Sequence, residues 1–451
     1  MQNKIIKWSA LPLSIALISG VANAKVSLQE ATALGTSLTL IGAEKSANSE
    51  GTIPAYTGGL EANESADPLV NIFSQEQPLF TITAENIEEH KDKLSDGQIA
   101  LFEKYPNTYQ MPVYKTHRTA AYPKFVQEKA KQNATTAELV DGGNGMTGFD
   151  ETVPFAIPKN GLEVIWNHVS RYRGGSIERN TAQVPVHTDG KFMPIKVRSQ
   201  LTAPQYLKGG YDKKEDDNVL FYYTQAIKSP ARLTGNVLLV HETIDQVSQP
   251  RMAWTYNAGQ RRVRRAPQVA YDAPGAATEG LRTSDQLDMF NGAPDRYDWK
   301  LIGKKEVYIP YNAYKLGSKN VAYNDIIGVG HINQDYTRYE LHRVWKVEAT
   351  LKEGARHLYG KRTFYIDEDS WQIALADHYD NRDTLWRAAE GHALQFVNAN
   401  TPWYVSTTTY DLFSGRYIVE LNNEEREPFN FGKQVKRKDF TAAAIRRNGK
   451  R

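Results

Sequence analysis

The sequence predicts a mainly β protein built on one large, curved antiparallel sheet with one apolar face, and three observations carry that expectation. Segment 361–376 (KRTFYIDEDSWQIALA) sets Phe364 and Ile366 at alternate positions, then Trp371, Ile373 and Leu375, with Thr363, Gln372 and Ala374 in between. A period of two buries one side of a pleated sheet. Asp367, Glu368, Asp369 and Ser370 supply the turn, since short polar side chains bond nearby backbone. The same alternation recurs at 219–227, 236–244, 252–256, 260–265, 306–309, 336–350, 385–396, 403–412 and 417–420. Successive strands with short connections form a meander, and a sheet of so many strands must curl. Aromatic residues make up 11% of the chain and 25 of them are Tyr, a type suited to a half-buried pleated surface.

The chain starts with an export signal. Lys4 and Lys7 give a basic start, 8–21 an apolar run, and Ala22-Asn23-Ala24 a small-x-small cleavage site. This reads as a signal peptide at 1–24, cut after Ala24, which directs the protein to the periplasm. No later stretch approaches the roughly 18 apolar residues of a membrane span. Cysteine is absent. That excludes lipid attachment at a lipoprotein signal, a disulfide framework, thiolate metal sites and thiol catalysis. Removing Lys4 and Lys7 takes the net charge from +3 to +1, which gives no field for nucleic acid.

Residues 25–150 read as a helical and irregular wrapping arm. Ser27 with Glu30, and Ser95 with Gln98, have capping-box spacing. A helix is predicted at 122–139 with a Pro in its first turn. The Gly-rich 140–148 lacks the Lys-Ser/Thr of a phosphate cradle. The strand domain is predicted at 151–423. It opens with a helix at 161–171, capped by Asn160, whose Leu162, Ile165, Trp166 and Val169 form one stripe. That stripe fits either a core-packed helix or a lid. Loop 269–298 is long and aperiodic, as functional covers are. A charged tail at 424–451 is expected to pack only in part.

Residues 251–267 (RMAWTYNAGQRRVRRAP), 288–314 (DMFNGAPDRYDWKLIGKKEVYIPYNAY), 336–390 and 42–60 (GAEKSANSEGTIPAYTGGL) together resemble DUF1329, an uncharacterised family of exported proteobacterial proteins labelled outer-membrane lipoprotein-sorting proteins. The family is similar in fold to the Lol lipoprotein carriers. The resemblance implies an α+β, mainly β fold: an open antiparallel half-barrel with helices plugging or covering its concave side. It also implies service in an envelope export system, with an envelope transporter or outer-membrane protein as partner. It carries over no catalytic residues.

The candidate chemistry is sparse. His241-Glu242 and 377–380 (DHYD) are the densest acid–His groups, and neither has metal-ligand spacing. Ser176 lacks the flanking glycine of a nucleophile elbow. Asp295, Asp298, Asp367 and Asp369 suit turns and caps. No catalytic residue, metal or cofactor is therefore expected. Trp254, Tyr256, Trp345, Phe364, Ile366, Trp371, Ile373 and Leu375 are either core or, on an open half-barrel, the wall of an apolar cleft for a lipid or acyl chain. Alternation puts Arg262 and Arg264 on one face of a strand and Arg261, Val263 and Arg265 on the other. These arginines either pair with nearby acids or dock an acidic partner. The expected function is a periplasmic, non-enzymatic carrier for lipid, lipoprotein acyl chains or another hydrophobe. The alternatives are an assembly or adaptor protein of an export complex and a hydrolase with an unrecognised site.

Overall fold

The structure, a computed structural model, describes residues 25–449; the expected leader at 1–24 lies outside the described residues. In chain order the strands are β1 (Phe80–Ile82), β2 (Met111–Val113), β3 (Glu138–Leu139), β4 (Met146–Thr147), β5 (Ser176–Val186), β6 (Ile195–Thr202), β7 (Val219–Ile227), β8 (Val237–Thr243), β9 (Met252–Asn257), β10 (Arg262–Arg265), β11 (Tyr297–Pro310), β12 (Tyr339–Leu351), β13 (Lys361–Asp367), β14 (Ile373–Tyr379), β15 (Leu385–Phe396), β16 (Thr401–Asp411), β17 (Tyr417–Leu421) and β18 (Phe429–Phe431). All but β3 and β4 join one sheet of 16 strands.

Two meanders make that sheet. Strands β12 to β17 run in sequence order, β5 to β10 do the same, and antiparallel pairing of β17 with β5 unites them. β1 and β2 extend the first meander past β12, where Val113 meets Tyr339 in parallel. β11 also pairs with β12, and β18 with β5. The row ends at β1 and β10 and does not close, so the sheet is open, as predicted.

A bulge decides which side chains share a face. Ile366 lies opposite Ile373 and Tyr365 opposite Leu375, so Ala374 has no partner. One extra residue reverses the direction of every side chain beyond it. Phe364, Ile366 and Ile373 thus share a face with Trp345 and Val347. Leu375 turns the other way, into a cluster with Tyr365, Val344 and Ile309. The expected common face for Trp371, Ile373 and Leu375 is corrected accordingly. Trp371 itself precedes the strand, at a left-handed φ of 56°, and its indole N–H donates to the Ile41 carbonyl at 2.8 Å.

The turn 367–372 is buried rather than solvated, because the N-terminal arm lies over it. Arg118 of the arm donates to Asp369 from Nε (2.8 Å) and Nη2 (2.6 Å) and to Glu368 at 3.2 Å. Arg343 and Lys304 each reach Glu368 at 2.7 Å. Arg118 also donates to the Glu44 carbonyl at 2.7 Å. Within the turn, the Ser370 hydroxyl donates to Asp367 at 2.6 Å, the local bond that its composition predicts.

The helix Gly161–Ser170 is capped by Asn160, which accepts from the Glu163 N–H at 3.0 Å. Leu162 stays half-buried while the rest of the helix is buried, so it fills space between layers instead of presenting a free face. Gly161 permits this. A Cβ there would meet backbone carbon of Trp299 at 3.0 Å. The C-terminal segment is integral to the fold: β18 extends the sheet, and the helix Ala442–Asn448 buries Ala444 and Ile445.

Replacing Arg118 with Met leaves Asp369 buried without its counter-ion, while Glu368 keeps Arg343 and Lys304. We expect a loss of about 3–5 kcal/mol in denaturant unfolding, largely restored by adding Asp369→Asn. A loss below about 1 kcal/mol, the range of an exposed pair, would show that the clamp contributes little.

Candidate functional site

The site follows from alternation on β5 to β8. Ile177, Arg179, Thr181 and Gln183 of β5 point to one side, with Val197, Ser199 and Leu201 of β6, Phe221, Tyr223 and Gln225 of β7, and Leu238 and Val240 of β8. Segment 269–291 crosses this inner face as a cover. Three spaces lie in a row between sheet and cover, and a fourth, roofed by 149–152 and 203–206 instead, adjoins them. This fourth cavity, of about 380 Å³, opens at one end, lined by Phe149, Tyr172, Tyr206 and Leu220. It shares Arg173, Leu201 and Phe221 with a small cavity of about 50 Å³. That one shares Tyr223, Arg282 and Leu287 with another of about 40 Å³. The last, about 480 Å³, shares Gln225 and Leu238 with its neighbour and is lined by Ile195, Ile227 and Leu233 under a roof of 274–280. The end spaces have the size of ligand sites. The middle ones hold a few waters at most.

Buried ion pairs fix the cover. Asp288 receives Arg171 and Arg173, each at 2.7 Å, and these arginines hold its carboxyl below the usual carboxylate range despite burial. Both arginines also cap the preceding helix, donating to the His168 and Val169 carbonyls at 2.7 and 2.9 Å. The Ile373 N–H donates to His168 Nδ1 at 3.2 Å, so Nε2 carries the proton and donates to the Asp288 carbonyl at 2.9 Å. Burial pushes His168 down to about 3, and the ring stays neutral. Asp285 binds Arg362 (2.8 Å) and His357 (3.1 Å). Asp288 and Met289 adopt left-handed φ values of 56° and 68°, local strain that these contacts hold in place. Stretch 274–280 is tied by Arg387 donating to the Gly280 carbonyl at 2.9 Å and by Arg416 pairing with Glu279 at 2.6 Å.

At the open end, burial raises Glu151 to about 7, and the Tyr206 hydroxyl donates to it. Near the middle, Arg179 and Gln183 both donate to Glu420. Arg282, 8% exposed, donates to Gln183 at 3.2 Å.

The structure scatters the eight residues expected to line a cleft. Phe364, Ile366, Trp371 and Ile373 are fully buried, and Trp345 is half-buried and stacked on Trp371 at 6.1 Å. Phe364 lies against Phe290 and Trp299 of the cover and its continuation. Leu375 faces the other way. Trp254 and Tyr256 are on the outer face of β9, in a cluster with Phe440 and Ile445 of the C-terminal segment. Of the eight, Tyr256 alone lines one of the four spaces. Arg262, Arg264 and Arg265 are exposed on β10, with Arg265 over the Trp254 ring at 5.1 Å. Arg261 precedes the strand, in a turn at φ 55°, and the expected strand 260–265 is shortened accordingly.

The other candidates have structural partners. His241 bonds the Phe440 carbonyl at 2.8 Å, Glu242 pairs with Arg251, His378 meets Gln286 at 2.8 Å, and Ser176 donates to the Lys433 carbonyl at 2.7 Å. The fold also brings His342, Asp367 and Asp369 within 4.8 Å of one another, a grouping hidden in sequence because it spans two strands and a turn. Arg118 already supplies Asp369 with the positive charge that a cation would bring. The cavity residues missed in sequence lie on β5, β6 and β7, where Arg, Thr, Gln and Ser occupy inward positions and blur the apolar alternation.

The site is thus an open antiparallel sheet roofed by a clamped loop, with spaces left between the two. The chain belongs to the DUF1329 family of proteins of unknown function, whose profile matches residues 81–446. It is 56% identical over 444 residues to an uncharacterised protein of Pseudomonas aeruginosa, with 97% of each chain covered. Among solved structures, a domain named for outer membrane lipoprotein sorting from Vibrio parahaemolyticus aligns at TM-score 0.44 and 12% identity, covering 63% of this chain and 98% of that one. A DUF1329 protein of Desulfovibrio piger aligns at TM-score 0.41 and 14% identity, with coverages of 60% and 91%.

The two environments separate under mutation. Ile373→Asn puts an amide into closed core and is expected to cost about 4 kcal/mol. Leu238→Asn, on a wall that water reaches, is expected to cost about 1 kcal/mol. Equal losses in thermal unfolding would mean that the Leu238 groove is closed in solution.

Proposed function

We propose that the protein is a non-enzymatic binder or carrier of a hydrophobic molecule, a lipid or acyl chain, acting in the periplasm after removal of 1–24 and serving an envelope export system. One observation carries the reading: the apolar groove of about 480 Å³ between β6 to β9 and stretch 274–280, in a row with two small spaces under the cover. Ile195, Ile227, Leu233 and Leu238 offer an acyl chain apolar surface, while water there finds few partners. Each buried methylene contributes about 0.8 kcal/mol, so about ten give roughly 8 kcal/mol before ordering costs, enough for micromolar binding. Protein purified from its own periplasm is expected to release a lipid on native mass spectrometry and extraction. It should also bind a fluorescent fatty acid, with affinity reduced at least about tenfold by Leu238→Asp. Absence of both the lipid and the binding would overturn the carrier reading.

A second reading, an adaptor acting by protein–protein contact, is favoured by β10. This edge strand exposes Arg262, Arg264 and Arg265 at the end of the sheet. Edge strands with free basic side chains suit acidic partners, and rim charges act mainly on association. Arg262→Glu with Arg264→Glu is expected to change stability by less than about 1 kcal/mol, yet abolish complementation of a deletion strain. Full complementation by the double variant would remove the docking role.

A further inference from the structure

Around the small cavity of about 50 Å³ lined by Arg173, Arg179 and Arg282, with Asp288 and Glu420, arginines outnumber acids. Arg171 and Arg173 share the one carboxylate of Asp288. Arg179 takes Glu420, whose second oxygen accepts from Gln183. Arg282 lies between the two small cavities and lines both. It has no carboxylate within 4.0 Å among the described residues; its one hydrogen bond goes to the Gln183 amide, and its Nε has no partner. Four arginines thus face two acids, inside a region where the other buried arginines are matched: Arg251 with Glu242, Arg362 with Asp285, Arg387 with Asp411. Burying an ion without a counter-ion is costly, and proteins retain such a group where something else supplies the charge. Burial accordingly lowers the affinity of Arg282 for its proton.

We infer that Arg282 receives the anionic headgroup of an amphiphile whose hydrocarbon chain lies in the groove under 274–280. The sizes fit this division. The spaces around Arg282, about 50 and 40 Å³, suit a carboxylate or phosphate group and exclude a chain. The neighbouring groove suits a chain and is mostly apolar, and Gln225 and Leu238 border both sides of the junction. A guanidinium fork with a free Nε–H and Nη–H matches either acid in bidentate fashion. At the far end of the row the cavity has a more polar lining, with Asp150, Glu151 and Asp217 beside Arg171 and Arg173, and suits a hydrocarbon chain less well than the 274–280 groove does. The inference rests on the carrier reading and names its ligand class.

Three probes with one chain length test it by calorimetry: palmitate, hexadecyl phosphate and hexadecanol. Wild type is expected to bind at least one of the two acids about ten- to a hundredfold more tightly than the alcohol, the strength of a charged hydrogen-bonded pair. Preference for palmitate alone assigns a fatty acid, and preference for the phosphate alone assigns a phospholipid-type head. Arg282→Met should erase the preference and leave hexadecanol binding unchanged, while Arg282→Lys should keep part of it. Because Arg282 is an uncompensated buried charge, Arg282→Met should unfold at the same temperature as wild type or higher. If the alcohol binds as tightly as the acids, or Arg282→Met keeps the preference, the headgroup inference falls and the carrier reading stands. If none of the three binds, both fall. A lowered unfolding temperature with unchanged preference assigns Arg282 to architecture instead.

Discussion

The buried clamp of Arg118 on Glu368 and Asp369 fixes where the rest of the molecule lies. The turn between β13 and β14 carries three acids in a row, a sequence that would normally sit in water. Here it is sealed under the arm because Arg118, Arg343 and Lys304 converge on it. The cluster fixes the arm to the sheet beside the left-handed backbone at Trp371 and the bulge at Ala374. Ion clusters of this kind contribute little net stability over an apolar core, but a misplaced arm would strand several buried charges, so they specify one arrangement strongly. Consequences reach the cavity side directly: the Ile373 N–H orients His168, and His168 in turn holds the Asp288 carbonyl of the cover.

The two halves of the sheet therefore differ in how they are filled. Over β11 to β14 the inner face meets the helix Gly161–Ser170, Trp299 and Phe290, large groups that interlock with Phe364. Over β5 to β8 the cover is held at 282–291 by charges and crosses the sheet without comparable bulk. The same loop thus closes core at one end and roofs space at the other. The polar interior is consistent with this, since arginines paired across a thin water-bearing layer are cheaper to bury than in dry core.

Sheet, meanders, the helix at 161–170 and its Asn160 cap were legible in sequence because periodicity and capping are local. The faces were not. Leu375 follows a bulge, and a single unpaired residue such as Ala374 leaves no mark in a pattern of alternation. Trp254 and Tyr256 have an impeccable apolar alternation, yet they point to the outer face, since periodicity tells that two residues share a side and not which side. The inward positions of β5 carry Arg179, Thr181 and Gln183, which read as a solvated face. Their partners, Glu420 on β17 and Arg282 in the cover, lie far away in the chain, and only the closure of β17 onto β5 brings them together.

One local signal did point to the groove. Stretch 274–277 reads Pro-Gly-Ala-Ala, so none of its side chains extends past a methyl or a pyrrolidine ring, and Gly275 brings the backbone close to Thr278 and the Arg282 carbonyl. A roof of such residues over Ile195, Ile227 and Leu238 cannot fill the volume beneath it. Covers that complete a core carry bulky side chains, as Leu287 and Phe290 do a few residues later in the same loop. Ala277 and Glu279 moreover hold left-handed φ values of 62° and 50°, conformations that disfavour L side chains and keep the stretch arched over the sheet. Small side chains and an arched backbone together leave this stretch poorly filled, and it lies beside the inner face at the point where Gln225 and Leu238 lead inward to Arg282.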